Sequence, residues 1–157
     1  MINICLTTQQ LRWQAPQGTV RSWPVSTSAK GAGQQVGSEQ TPLGHHRIKA
    51  CIGTGMQEGA VFVGRRPTGE IYSPQLALHH PGRDWILTRI LWLSGCESGF
   101  NRGGDVDTMR RFIYIHGTPD SEAMGVPASH GCIRMRNRDL IELFELVEPG
   151  CPVFIHQ

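Results

Sequence analysis

A chain of 157 residues is the size of one domain, which excludes a large multidomain machine. With 39% hydrophobic and 18% charged residues it reads as a folded soluble protein, and 19 Gly and 10 Pro are too many for a helical bundle. A net charge of +2 gives no indication of nucleic acid or anionic membrane as an obligate partner.

Residues 1–11 hold no basic side chain, and the apolar run Ile4-Cys5-Leu6 is far shorter than the roughly 7–15 apolar residues of a signal peptide. The expectation is a cytoplasmic protein, or a periplasmic one if the gene start lies upstream of Met1. Val20 to Val25 is β-prone and Lys30-Gly31-Ala32-Gly33 is a turn or loop. Thr41-Pro42-Leu43-Gly44 turns into a strand from His46 to Ile52, and Ala60 to Val63 is a further short strand. Trp85 to Leu93 has no polar face and reads as a buried strand in preference to a short helix; Thr88 and Arg89 interrupt it well short of the ~20 apolar residues of a membrane span. Arg111 to His116 reads as a central strand that stops at Gly117-Thr118-Pro119 and leaves His116 at its carboxyl end. Asn137 is placed to cap a helix whose apolar face is Leu140, Ile141, Leu143, Phe144 and Val147, ended by Pro149-Gly150; Cys151 to Ile155 then forms a closing strand. There is no repeat or linker, so residues 1–157 are expected to form a single domain.

Five cysteines without repeated spacing do not make a disulfide framework. Only Cys132 has the neighbours that a nucleophilic thiol requires. A thiol with an ordinary pKa of about 8.5 attacks as thiolate, so it needs an imidazole nearby. His130, two residues away, is tethered beside the sulfur, whereas His116 approaches from a separate strand with more freedom to act as the base. Gly131 removes a side chain where backbone N–H groups would face a developing oxyanion. Cys5, Cys51, Cys96 and Cys151 read as bystander thiols.

His116-Gly117-Thr118, then Gly125, then Ser129-His130-Gly131-Cys132-Ile133-Arg134-Met135 resembles the active-site signature of the L,D-transpeptidase (YkuD-type) catalytic domain family. Val25-Ser26-Thr27-Ser28 and Thr41-Pro42-Leu43-Gly44 are similar to the family's first strands, so the resemblance covers about residues 20–155. It implies a mainly β, sandwich-like domain with one principal helix after the cysteine. It implies Cys132 as nucleophile on the L,D-amide between the third residue of a peptidoglycan stem peptide, often meso-diaminopimelate, and the D-alanine that follows it, His116 as proton acceptor and donor, and the Gly117 carbonyl as the group orienting the His116 ring. Ser129, His130, Gly131 and Arg134 are the implied oxyanion and substrate-binding set, with Arg134 bracing the cleft or holding a carboxylate. No cofactor or metal is expected, and the partner is a stem peptide or muropeptide, not nucleic acid or membrane. A cytoplasmic setting favours L,D-carboxypeptidase action on tetrapeptides over cross-linking or D-amino-acid exchange. The readings of another class are a zinc site, in which His116, His130 and Cys132 are joined by His45-His46 or His79-His80, and a non-catalytic muropeptide-binding protein.

Overall fold

The computed structural model describes all residues, 1–157. Ten strands carry the fold: β1 Ile2–Cys5, β2 Gln10–Gln14, β3 Val20–Pro24, β4 Gly44–Ile52, β5 Ala60–Val63, β6 Arg66–Ile71, β7 Ile86–Gly95, β8 Tyr114–Gly117, β9 Ile133–Met135 and β10 Pro152–His156. A six-residue helix, α1 (Pro74–His79), precedes β7, and the principal helix, α2 (Asn137–Leu146), follows β9. The architecture is mainly β, as expected.

The strands form one hydrogen-bonded sheet in the order β3-β2-β1-β10-β4-β7-β5-β6, with β8 branching from β7 and carrying β9. β7 is the hub, pairing with β4, β5 and β8. The sheet curls until the chain just past β3 meets β9. There Ser26 N–H donates to the Arg134 carbonyl (2.9 Å) and Arg134 N–H donates to the Ser26 carbonyl (2.8 Å). Curling of one sheet therefore gives the sandwich-like body. Inside lie Ile2, Ile4, Leu11, Ile48, Leu91, Leu93, Ile115, Ile133 and Ile155, all fully buried. The α2 face supplies Leu140 and Leu143 to this core, with Phe144 half-buried beside them.

Four findings differ from the sequence reading or lie outside it. The amino-terminal segment supplies two strands to the sheet: β1 pairs in parallel with β10 and antiparallel with β2. The strand expected from Arg111 begins only at Tyr114, because Phe112 takes a left-handed φ of 57° and turns the chain. Asn137 is the first residue of α2, not its cap; Arg136 holds the cap position without a side-chain bond, and the Asn137 side chain turns inward. α1 has an N-cap in Ser73, whose hydroxyl accepts from Leu76 N–H (3.0 Å), and Pro74 stands at its first turn, where the missing N–H costs nothing.

Candidate active site

β8 and β9 run parallel, with Ile115 opposite Ile133, His116 opposite Arg134 and Gly117 opposite Met135. Alternation along a strand puts His116 and Tyr114 on one face of β8. Cys132 lies at the entrance to β9 and packs against the cluster of Ala60, Phe62, Ile90 and Tyr114. Its sulfur sits between two main-chain groups: Tyr114 N–H donates to Sγ (3.3 Å), and the thiol donates to the Phe112 carbonyl (3.4 Å). The turn at Phe112 thus gives the thiol a resting partner that a straight strand would not offer.

His116 is 1% exposed, and its Nδ1 bonds the Gly117 carbonyl at 2.7 Å. That bond places the proton on Nδ1 and leaves Nε2 as the basic nitrogen, with no protein partner of its own. Burial lowers the His116 pKa, against the opposing influence of the Gly117 carbonyl and the Asp84 carboxylate. Burial likewise pushes the Cys132 thiol up to about 12, with Asp84 adding to the rise, while Tyr114 N–H, Arg134 and Arg111 oppose it. Both groups are neutral at pH 7, so the resting site holds a thiol and an imidazole, not a preformed ion pair.

The S-H-G-C segment is held by residues far away in sequence. Ser129 is buried; its hydroxyl donates to the Cys132 carbonyl (2.6 Å) and accepts from Gly131 N–H (3.3 Å). Ala128 and Ser129 N–H donate to the Thr27 carbonyl, and Thr41 Oγ1 donates to the Gly131 carbonyl (3.0 Å). The two upstream motifs therefore form the cradle of this loop. Gly131 has φ 127°, and a Cβ there would lie 3.3 Å from the Gln40 carbonyl oxygen, so only glycine fits without strain. Gly131 N–H is already engaged by Ser129, whereas no protein acceptor takes the Cys132 N–H. Of the two candidate oxyanion donors, Cys132 N–H is the uncommitted one.

His130 is exposed, with Nδ1 3.6 Å from Asp84 Oδ2. Arg134 is almost buried; it pairs with Asp84 Oδ1 at 3.0 Å and also donates to the Ala128 carbonyl. These contacts commit it to bracing the loop. Asp84, which no sequence spacing singled out, is the link between His130 and Arg134. His80, Asp84, His130 and Arg134 line a cavity of about 430 Å³ on this side of the loop. Thr88 and Asn137 were also missed. Thr88 is fully buried at φ 75° in a bulge of β7; its hydroxyl donates to Asn137 Oδ1 (2.6 Å) and accepts from Gly59 N–H (3.0 Å). Asn137 Nδ2 donates to the Thr118 carbonyl (3.0 Å), fixing the chain just beyond His116.

The other histidines stand apart. His46 is buried between the Gly44 carbonyl and Thr108 Oγ1, and His45 stacks on Phe154. No three His, Cys, Asp or Glu side chains converge in a way that could hold a metal ion, which leaves the zinc reading without a ligand set.

The profile of the YkuD L,D-transpeptidase catalytic domain matches residues 1–155. The chain belongs to that family. The match starts at residue 1 where the signature alone suggested about 20, in keeping with the place of β1 and β2 in the sheet. Among curated relatives, the Bacillus licheniformis protein YkuD is 49% identical over 41 residues, 26% of this chain and 25% of that one. Escherichia coli K12 YbiS is 46% identical over 43 residues, 27% of this chain and 14% of that one. Both carry L,D-transpeptidase names, and the matched segments span a quarter or less of their length. Among solved structures, an L,D-transpeptidase from Mycobacterium smegmatis superposes with a TM-score of 0.56 at 16% identity, over 99% of this chain and 58% of that one. An Enterococcus faecium L,D-transpeptidase gives 0.58 at 17% identity, over 99% and 48%. At these identities the structural likeness speaks for the shared fold.

Proposed function

We propose that this YkuD-family domain is a cysteine acyl-transfer enzyme acting on the L,D-amide of peptidoglycan stem peptides. The observation that carries the reading is the pairing of β8 with β9. It puts Cys132, the residue before β9, level with Tyr114 on the strand that also carries the buried His116, whose Nδ1 is bonded to the Gly117 carbonyl and whose Nε2 has no protein partner. Nε2 takes the thiol proton, the sulfur attacks the carbonyl of the L-centre, and the Cys132 N–H donates to the tetrahedral oxygen. The intermediate collapses, the C–N bond breaks, and protonated His116 gives its proton to the departing D-alanine amine. A thioester remains on Cys132. His116 then activates the acceptor and returns to neutrality as the acceptor's proton passes to sulfur.

The finer reading is an L,D-carboxypeptidase, with water as acceptor and soluble cytoplasmic muropeptides as substrate. Incubation with tetrapeptide, followed by mass detection, tests both levels. Release of D-alanine with free tripeptide supports hydrolysis. Dimer formation with an added amine acceptor in its place moves the assignment to cross-linking, and no thioester at all overturns the enzymatic reading.

A further inference from the structure

Three arginines lie near Cys132 or contact the side chains of the residues whose main chain holds it, and two are committed. Arg134 pairs with Asp84, and Arg111 donates to the Gly33 and Gln40 carbonyls and to Ser38 Oγ. The third is Arg65. Its guanidinium carbon lies 4.7 Å from the Trp92 ring centroid and 4.8 Å from that of Phe112, and one Nη donates to the Tyr114 hydroxyl at 3.0 Å. No carboxylate pairs with it, and Tyr114 is its one hydrogen-bond partner. Phe112 and Tyr114 are also the residues whose main chains hold the Cys132 sulfur. The same two residues therefore seat the cation and the nucleophile.

The placement carries strain. Arg65 is the second residue of the two-residue Gly64-Arg65 turn between β5 and β6, at φ 65°. A hairpin turn of this hand prefers Gly or Asn at both positions. An arginine in a left-handed conformation, its face on two rings and its remaining N–H edge without an acceptor, is organised for a planar anion. The stem peptide proposed as substrate has carboxylates on both sides of the scissile amide: the terminal one of D-alanine and the side-chain one of diaminopimelate.

We propose that Arg65 is the anion-recognising residue of this site, taking through its guanidinium edge a carboxylate that flanks the scissile amide. This rests on the stem-peptide reading above. The test compares wild type with Arg65→Gly and Arg65→Lys on tetrapeptide and on two analogues, one with the D-alanine carboxylate and one with the diaminopimelate side-chain carboxylate converted to carboxamide. Thioester formation on Cys132 is the readout, and iodoacetamide is the uncharged control. Arg65→Gly relieves the turn, so the variant folds and its melting temperature does not fall. The expected loss in kcat/KM for tetrapeptide is about 10- to 100-fold, the range of a charged hydrogen bond, with partial recovery in Arg65→Lys. Wild type discriminates against one carboxamide by a similar factor, and that analogue identifies which carboxylate is bound. In Arg65→Gly this discrimination disappears, while the iodoacetamide rate is unchanged. Unchanged kcat/KM in Arg65→Gly, equal discrimination in both proteins, or a parallel fall in iodoacetamide reactivity would overturn the proposal. Absence of any thioester in wild type would instead overturn the stem-peptide reading itself.

Discussion

At the scale of single residues, the thiol and the imidazole have been moved apart in proton affinity. Cys132 is raised to about 12 and His116 is lowered, both through burial. The sign follows directly: neutral thiol and neutral imidazole coexist at pH 7 and above, and thiolate forms only as His116 accepts the proton. Alkylation of Cys132 by iodoacetamide is expected to keep rising beyond pH 9, without a plateau near the ordinary thiol value; a plateau at pH 7 or below would reveal an ion pair. The acid limb of activity is expected below pH 6.5, since protonated His116 cannot act as base. Cys132→Ala is expected to abolish the thioester seen by mass spectrometry. His116→Ala is expected to slow thioester formation by about 10²- to 10⁴-fold, the usual worth of a positioned base.

At the scale of elements, the bulge in β7 is held by side chains that lie outside the reactive pair. Thr88, Asn137 and Thr118 form a buried relay from β7 through α2 to the end of β8, and a Cβ on Gly117 would collide with both Asn137 Oδ1 and the Leu87 carbonyl. Asn137→Leu strands the Thr88 hydroxyl and the Thr118 carbonyl, and a loss of about 1–3 kcal/mol in urea unfolding is expected, together with a fall in kcat as the Gly117 carbonyl loses its fixed position. The helix face of α2 was legible because an apolar stripe at a period of 3.6 is a strong signal. The inward turn of Asn137 was not, because an Asn before a helix reads as a cap until its buried partners from β7 and β8 are known. β6 was illegible for another reason: Arg66-Pro67-Thr68-Gly69-Glu70 is an exposed strand bonded to β5, and an edge needs neither alternation nor a donor at every residue. Cys132, His116 and Gly131 were legible as candidates from their own chemistry and Ser129 from the family signature, whereas Asp84, Arg111 and Arg65 come near Cys132 only through the fold.

At the scale of the whole molecule, acid stability is tied to His46, 2% exposed and pushed down to about 4 mainly by burial. The unfolded chain binds a proton there near pH 6.5 and the folded chain does not. Stability from this residue is therefore complete above about pH 6.5 and is lost progressively down to about pH 4, by roughly 3 kcal/mol in all. His46→Gln is expected to flatten the fall in melting temperature between pH 6.5 and 4; an unchanged slope would place the acid sensitivity elsewhere. The closure of the sheet offers a second handle. Ser26→Pro deletes the N–H given to the Arg134 carbonyl, and a large loss of stability is expected in thermal unfolding, about 3 kcal/mol or more.

That closure also governs when the nucleophile can exist during synthesis. The seat of Cys132 is built from residues 25–41 on one side and β8 and β9 on the other, and the sheet beneath them is completed only when β10 slides between β1 and β4. A ribosome has to deliver the residues through His156 before the strand at Ile2–Cys5 finds its parallel partner at Pro152–His156. Until then the incomplete chain carries a thiol without its cradle, and fragments truncated before residue 152 are expected to be chemically silent toward substrate.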